Sequence, residues 1–415
     1  MSRRVVISGM GTVNPIGNNV DQMWKSIKDQ KCGIEAIKAF DTSDYRVKLA
    51  AEVKDLDMES YLSAREIKFN DRFTVFARIA AIQAMKDAKL DEANFDHTRF
   101  GVIVGSGIGG LKSLENAQDS LRDRGPNKIS PFFIPMTLVN LAAGQVAIDH
   151  QALGHCSSVV TACAAGSNAI GEAFHKIRDG YQDLMLAGGS EASITPLGVA
   201  GFMVMRALHE GIDPNRASIP FDQERSGFVM GEGAGILVLE ELNHAVKRGA
   251  HIYAEIVGYG SSCDAFHITA PKEDGSGAAL AMNIAIEDAQ IRPSDIGYIN
   301  AHGTSTLLND KTETLAVKTA FKESASSVKM SSTKSYTGHL LGASGAIEAI
   351  ISIKAIQDSY LPNTLNLVNQ DPHCDLDVLV KPLSQSIDYA MSNSLGFGGH
   401  NASLIFKKWE NKHAL

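Results

Sequence analysis

A chain of 415 residues with 44% apolar and 21% charged side chains can bury a large core, an ordinary balance for a globular protein. Its net charge of −8 argues against general nucleic-acid binding. The five cysteines (Cys32, Cys156, Cys163, Cys263, Cys374) form no CxxC pair, which argues against a disulfide framework or a cysteine zinc site and points to a reducing compartment.

The N-terminal MSRRVVISGMG has four apolar residues before Gly9, too few for a signal-peptide core, so the expected location is the cytoplasm. Arg4–Gly11 reads as a β-run closed by Gly-x-Gly, and Phe100–Gly110 (FGVIVGSGIGG) as a buried strand entering a glycine turn. In VVTACAAGSNAIGEA a β-branched run ends at Cys163. Ala165, Ala169, Ile170, Ala173, Phe174 and Ile177 then recur at helical spacing until Gly180. Gly227–Glu240 is a glycine-rich turn feeding an apolar strand.

The same order then returns in Ala254–Gly260, Ile296–Thr306, MSSTKSYTGHLLGASGAIEAIISIKAI and Ser394–Phe406. The repeated order predicts two similar α/β halves, 1–250 and 251–415, with mixed helices inserted in the first. Their sheets should be largely buried with helices on their faces. The apolar helix around Leu340–Ile356 carries Glu348 and Lys354, so no membrane crossing is expected.

Cys163 falls at a helix N-terminus, where free N–H groups and the dipole favour a thiolate and lower the thiol pKa. Ala162, Ala164, Ala165 and Gly166 leave room for a substrate beside it. A buried, inert cysteine fits the position equally well. His302 follows a strand in NAHGTST, and His339 lies in a glycine-rich turn before a helix; strand-end loops are where α/β proteins gather reactive groups. Lys334 precedes His339 by five residues, with Glu348 on the next helix as a pairing partner. In GFGG (396–399) the backbone N–H groups at Phe397 can face an oxyanion, or the segment is a plain turn with a core phenylalanine. Neither HExxH nor His-x-His spacing occurs at His302 or His339, so no metal site is expected. GSGIGG lacks the Walker lysine and no GxGxxG opens a helix, so no dissociable organic cofactor is expected.

Taken in order, VVTACAAGSNAIGEA, NAHGTST, SSTKSYTGH and NSLGFGGHN resemble the β-ketoacyl-acyl carrier protein synthases, specifically their type II elongating members. The resemblance runs from Val5 to about Trp409. It implies a thiolase-like fold, a duplicated α/β unit in five αβαβα layers, and a homodimer. It also implies decarboxylative Claisen condensation of an acyl chain held on Cys163 with malonyl-acyl carrier protein. Cys163 and Phe397 would supply the oxyanion-hole N–H groups, and His302 and His339 would stabilise the enolate. Lys334 would support them beside Glu348, with Asp310 also in support. Phe397 would gate the cysteine. Thr304 and Thr306 would hold the phosphopantetheine arm, which arrives on the carrier protein, and a structural monovalent cation is compatible with the family. Ile108 and Phe202, with Phe133 from across the dimer, would line the acyl pocket.

Arg65, Lys68 and Arg206 would dock the acidic carrier protein, with Arg72 adding to them. Departures from the family pattern are Phe69 at a basic position, Ser226 at an acidic one, Leu307-Leu308-Asn309 for Pro-x-Gly, Leu395 beside the gate and His400 for threonine. Other readings stay open: a polyketide-type ketosynthase or a type I elongating synthase with a different pocket, a non-catalytic chain-length partner, and a Cys-His hydrolase.

Overall fold

The structure, a computed structural model, describes residues 3–91 and 93–410; the outer ends of both expected halves fall outside these. Among the described residues ten strands form the main sheet. In chain order they are β1 (Val5–Val13), β2 (Phe100–Gly105), β3 (Cys156–Ser157), β4 (Leu184–Glu191) and β5 (Gly233–Glu241), then β6 (Ala254–Cys263), β7 (Ile296–Asn300), β8 (Lys329–Ser331), β9 (Tyr389–Gly396) and β10 (His400–Lys408). Their spatial order is β8-β7-β9-β10-β6-β1-β5-β4-β2-β3.

Outward from the centre, β1, β5, β4, β2, β3 on one side match β6, β10, β9, β7, β8 on the other. The pairing senses match as well. The inner pairs β1–β5, β5–β4, β6–β10 and β10–β9 are antiparallel, and the outer pairs β4–β2, β2–β3, β9–β7 and β7–β8 are parallel. Among the described residues the two sides join where Val5, Val6 and Ile7 pair with Ile256, Glu255 and Ala254. The fold is a mixed α/β thiolase-like architecture.

Helices cover both faces because the strands are apolar on both; β1 and β5 are buried at every position. Helices α1 (Ala64–Lys68), α2 (Arg72–Asp87) and α3 (Leu141–His150) belong to the first side. There α2 packs on β1, β4 and β5, and α3 on β2 and β3. Helix α4 (Ala165–Arg178) is followed by α5 (Pro196–Val204), α6 (Ser276–Asp288), α7 (Leu307–Phe321) and α8 (Ser344–Asp358). Helices α4 and α8 touch each other and strands of both sides, so they form a middle layer. Helix α8 is buried from Ser344 through Ile353, as an all-round apolar helix must be. On the far face α6 packs on β6 and β10, and α7 packs on α6. None of the described helices is long and apolar enough to cross a membrane.

Candidate active site

Loops leaving the parallel strands, together with the turn that opens α4, enclose a cavity of about 320 Å³. Cys163, Phe202, Arg206, His302, Thr304, Thr306, His339 and Phe397 all line it. These residues come from positions up to 234 apart in sequence, since Cys163 and Phe397 meet there (397 − 163).

Cys163 sits in a short 3₁₀ turn, Ala162–Ala164, that runs straight into α4. Ala162 holds a left-handed φ of 49°, a conformation that costs a residue with a Cβ. The end of β9 presses on this turn: a Cβ on Gly396 would lie 3.2 Å from the Cys163 nitrogen, so only glycine fits without displacement. The Phe397 N–H favours the ionised form of the sulfur. Burial pushes the thiol up to about 11, against the opposing pull of Lys334 and of that N–H, while Glu191 pushes the same way as burial. The helix-terminus expectation of a lowered thiol pKa therefore does not hold. Desolvation outweighs the dipole here.

His302 follows β7 and is buried. Its N–H donates to Glu313 Oε1 at 2.8 Å, and the Gly303 N–H donates to Oε2 at 2.8 Å. Burial raises the Glu313 carboxyl to about 7. His339 donates its N–H to the Val229 carbonyl at 2.7 Å, and its Nδ1 lies 2.9 Å from Ser344 Oγ. That leaves Nε2 as the ring atom available to a ligand. Burial, and then Lys334, hold both imidazoles well below their ordinary pKa, so both are neutral.

Lys334, at the start of a short helix after β8, forms a buried ion pair with Glu348 on α8. Glu348 Oε2 and Ser392 Oγ on β9 are buried without hydrogen-bond partners. Thr304 and Thr306 share a 3.0 Å hydroxyl contact. Asp310 is buried, accepts the Phe221 N–H at 2.9 Å and lies 3.4 Å from Arg225 Nε. The Phe202 ring on α5 packs on Phe228 and Phe397, at centroid separations of 5.4 and 6.3 Å.

The remaining expected residues are not drawn together by the single chain. Ile108 donates its N–H to Glu191 at 3.3 Å but does not line the cavity, and neither does the half-buried Phe133. Arg206 is exposed on the cavity lining, whereas Arg65 and Lys68 stand exposed on α1 and take no part in it. Arg72 is not a free docking charge, because it forms a 2.7 Å ion pair with the buried Glu232. Phe69, at the basic position, packs its ring on Phe132 with centroids 4.2 Å apart.

Two buried carboxylates, Glu191 and Glu313, were not anticipated. Each had a signal. Asp310 and Glu313 stand three apart on one helix face, and Glu191 is a charge closing an otherwise apolar strand.

Residues 2–245 match the β-ketoacyl synthase N-terminal domain and residues 253–368 match its C-terminal domain. The 3-oxoacyl-[acyl-carrier-protein] synthase 2 of Staphylococcus aureus (strain N315) is 51% identical over 410 residues, covering 99% of each chain. A ketosynthase solved in complex with its type II PKS acyl-carrier protein superposes with a TM-score of 0.91 at 36% identity, covering 99% of this chain and 100% of that one. The ishigamide ketosynthase/chain length factor gives 0.93 at 32%, with the same coverage. With both domain models matched in order and half of its residues shared with a full-length relative, the chain belongs to the β-ketoacyl synthase family.

Proposed function

We propose that this enzyme condenses an acyl chain with malonyl-acyl carrier protein, giving 3-oxoacyl-acyl carrier protein and CO₂ in fatty-acid elongation. The observation that carries the reading is the meeting of Cys163, the Phe397 N–H and two neutral histidines in one cavity.

Cys163 sulfur attacks the acyl thioester, the carrier thiol leaves with the proton, and the chain stays on the enzyme. Malonyl-carrier protein then enters and loses CO₂. The electrons of the broken C–C bond become an enolate, whose oxygen takes hydrogen bonds from His302 and His339. A neutral imidazole N–H stabilises that oxygen with little tendency to protonate the carbon. The enolate carbon attacks the acyl thioester, and the N–H groups of Cys163 and Phe397 hold the resulting oxyanion. Collapse releases Cys163 sulfur, which takes up one proton, and the 3-oxoacyl product. Lys334, paired with Glu348, and Asp310 support the histidine turns. Thr304 and Thr306 hold the phosphopantetheine arm. A structural monovalent cation would find unpartnered oxygens in Glu348 Oε2 and Ser392 Oγ.

The carrier-protein partner is supported by the complex of the related ketosynthase with its own acyl-carrier protein. In our reading Arg206, Arg65 and Lys68 receive it. A homodimer is supported by exposed Ile134, Leu138, Ile148, Leu153 and Val160, which flank the edge strand β3 in sequence; it would bring Phe133 to the partner's pocket beside Ile108 and Phe202. We assign the two halves to 1–250 and 251–415 and the location to the cytoplasm.

A polyketide-type ketosynthase is the second reading, favoured by the solved neighbours at 32% and 36% identity. A non-catalytic chain-length subunit has no use for Cys163. A Cys-His hydrolase needs a carboxylate on its histidine, yet His339 Nδ1 meets a serine hydroxyl and His302 Nδ1 has no partner.

The test is incubation with acyl-carrier protein alone, followed by mass spectrometry of the Cys163 peptide. Malonyl-carrier protein is then added and CO₂ and 3-oxoacyl product are measured. An acyl adduct that converts to extended product is expected. Absence of the adduct sinks the mechanism, and free fatty acid in place of extended product indicates hydrolysis.

A further inference from the structure

Two turns in this fold share one backbone shape. Ala162 and Leu341 both take left-handed φ values, 49° and 48°. Each opens a short 3₁₀ turn, Ala162–Ala164 or Leu341–Ala343, and each turn runs into a middle-layer helix, α4 or α8. In both, the third residue's N–H bonds back to the carbonyl preceding the turn, Ala164 to Thr161 and Ala343 to Leu340, each at 3.0 Å. In this register Gly342 occupies the place of Cys163.

The Gly342 turn is closed to any ligand. A Cβ at Gly342 would collide with the Gly107 nitrogen and lie 2.8 Å from the Ser106 backbone. Its N–H is already taken, donating to Glu191 Oε2 at 3.1 Å, and the Gly107 N–H donates to the same oxygen at 2.7 Å. Glu191 Oε1 accepts the Ile108 N–H at 3.3 Å and the hydroxyls of Ser193 and Ser106 at 3.0 and 3.2 Å. Glu191 is fully buried at the end of β4. Burial pushes its carboxyl up, but three of its five partners are N–H groups that can only donate, which favours the carboxylate.

A carboxylate oxygen thus rests on the N–H that corresponds to the Cys163 N–H, the group aimed at the substrate's oxyanion in the proposed reaction. The two turns are also in contact, because a Cβ on Gly166, three residues after Cys163, would lie 2.8 Å from the Gly342 carbonyl oxygen. We infer that Glu191 is a positioning residue: a built-in anion that fills the silent counterpart of the oxyanion hole and clamps the Ser106–Ile108 loop and the Gly342 turn behind Cys163. This rests on the condensation reading above.

The charge has a second consequence at the sulfur. Lys334 is the cation acting on Cys163, His302 and His339 are neutral, and Glu191 is the anion working against the thiolate. Replacing Glu191 by glutamine removes that anion at nearly constant volume, and on either side its NH₂ meets at least one backbone N–H that only donates, Ile108 or the Gly107 and Gly342 pair. The common anchor of the loop and turn is weakened.

The test compares full-length wild type and Glu191→Gln in condensation kinetics and in the pH profile of Cys163 alkylation by iodoacetamide. We expect kcat to fall roughly 10- to 100-fold, less than removing a direct oxyanion donor costs. KM for malonyl-carrier protein should stay within about threefold, since the clamp touches no substrate. The alkylation midpoint should move to lower pH, a shift that loosened packing alone does not predict. Glu191→Asp restores the charge with a shorter reach, so it should recover the midpoint and only part of kcat. If Glu191→Gln does not fold, Ser193→Ala removes a single donor to Oε1 and should lower kcat severalfold. Wild-type kcat and an unmoved midpoint in Glu191→Gln, or wild-type kcat in Ser193→Ala, overturn the inference. Absence of condensation by the wild type would instead defeat the reaction assignment, while the alkylation midpoint still tests Glu191.

Discussion

The rings of His302 and His339 meet edge to face, with centroids 5.3 Å apart and planes at 85°. Two imidazoles this close and this buried cannot both be charged, and Lys334 disfavours protonation of either. They therefore act as N–H donors to one developing charge, and loss of either should be felt at that charge alone. His302→Ala and His339→Ala are each expected to slow malonyl decarboxylation by about 10²–10³-fold. Acyl transfer to Cys163, followed by mass spectrometry, should change far less. An equal fall in both steps would contradict this division of labour.

Phe397 joins two roles in one residue. Its N–H favours ionisation of the Cys163 sulfur, while its half-buried ring packs against Phe202. Phe397→Ala keeps the N–H and removes the ring, so the oxyanion contact survives while the thiol is unshielded. We expect severalfold faster alkylation of Cys163 at fixed pH, with condensation retained. Alkylation at the wild-type rate would show that the ring does not shield the sulfur.

Much of this site was legible in the sequence because its parts are local. A strand that ends in a glycine turn places His302 or Phe397 at a strand end whatever the rest of the chain does. The repeated order of such turns announced the matching strand series around β1 and β6. What stayed hidden depends on partners far along the chain. Glu191 gains its meaning from Gly107 and Gly342, 84 and 151 residues away. Arg72 looked like surface charge until Glu232, 160 residues on, came to meet it. The thiol's upward shift reflects burial from every side, which no local motif encodes. Placing Phe133 in a pocket needs a second copy of the chain.

Arg72 and Arg206 should separate cleanly when mutated. Arg72→Ala leaves Glu232 buried and short of its charged partner. The expected cost is about 1–3 kcal/mol in urea denaturation, below that of a fully buried pair because Arg72 is 39% exposed. Its KM for carrier protein should be unchanged. Arg206→Glu should leave stability intact and raise that KM roughly 3- to 10-fold at low salt, with the difference fading as salt screens the contact. A docking defect in Arg72→Ala without loss of stability would restore Arg72 to the carrier surface.

Glu313 couples the stability of the fold to pH. Burial raises this carboxyl to about 7 from an ordinary 4.5, even though two N–H groups favour its ionised form. Between those two values the folded protein holds a proton that the unfolded chain releases. The stabilisation is therefore fully present below pH 4.5 and is lost as pH rises through about 7. A difference of this size corresponds to roughly 3 kcal/mol. Glu348, also raised to about 7, has the same sign. His302 and His339 have the opposite sign. Held neutral by burial, they cost stability as pH falls below 6.5, where the unfolded chain takes up their protons. The two trends oppose each other between 4.5 and 6.5, and above 6.5 only the glutamate loss remains. Wild-type urea midpoints should therefore fall between about pH 6.5 and pH 8.5. In Glu313→Gln, which cannot ionise, that fall should be visibly shallower. Parallel pH curves for the two proteins would mean that Glu313 is already ionised when folded.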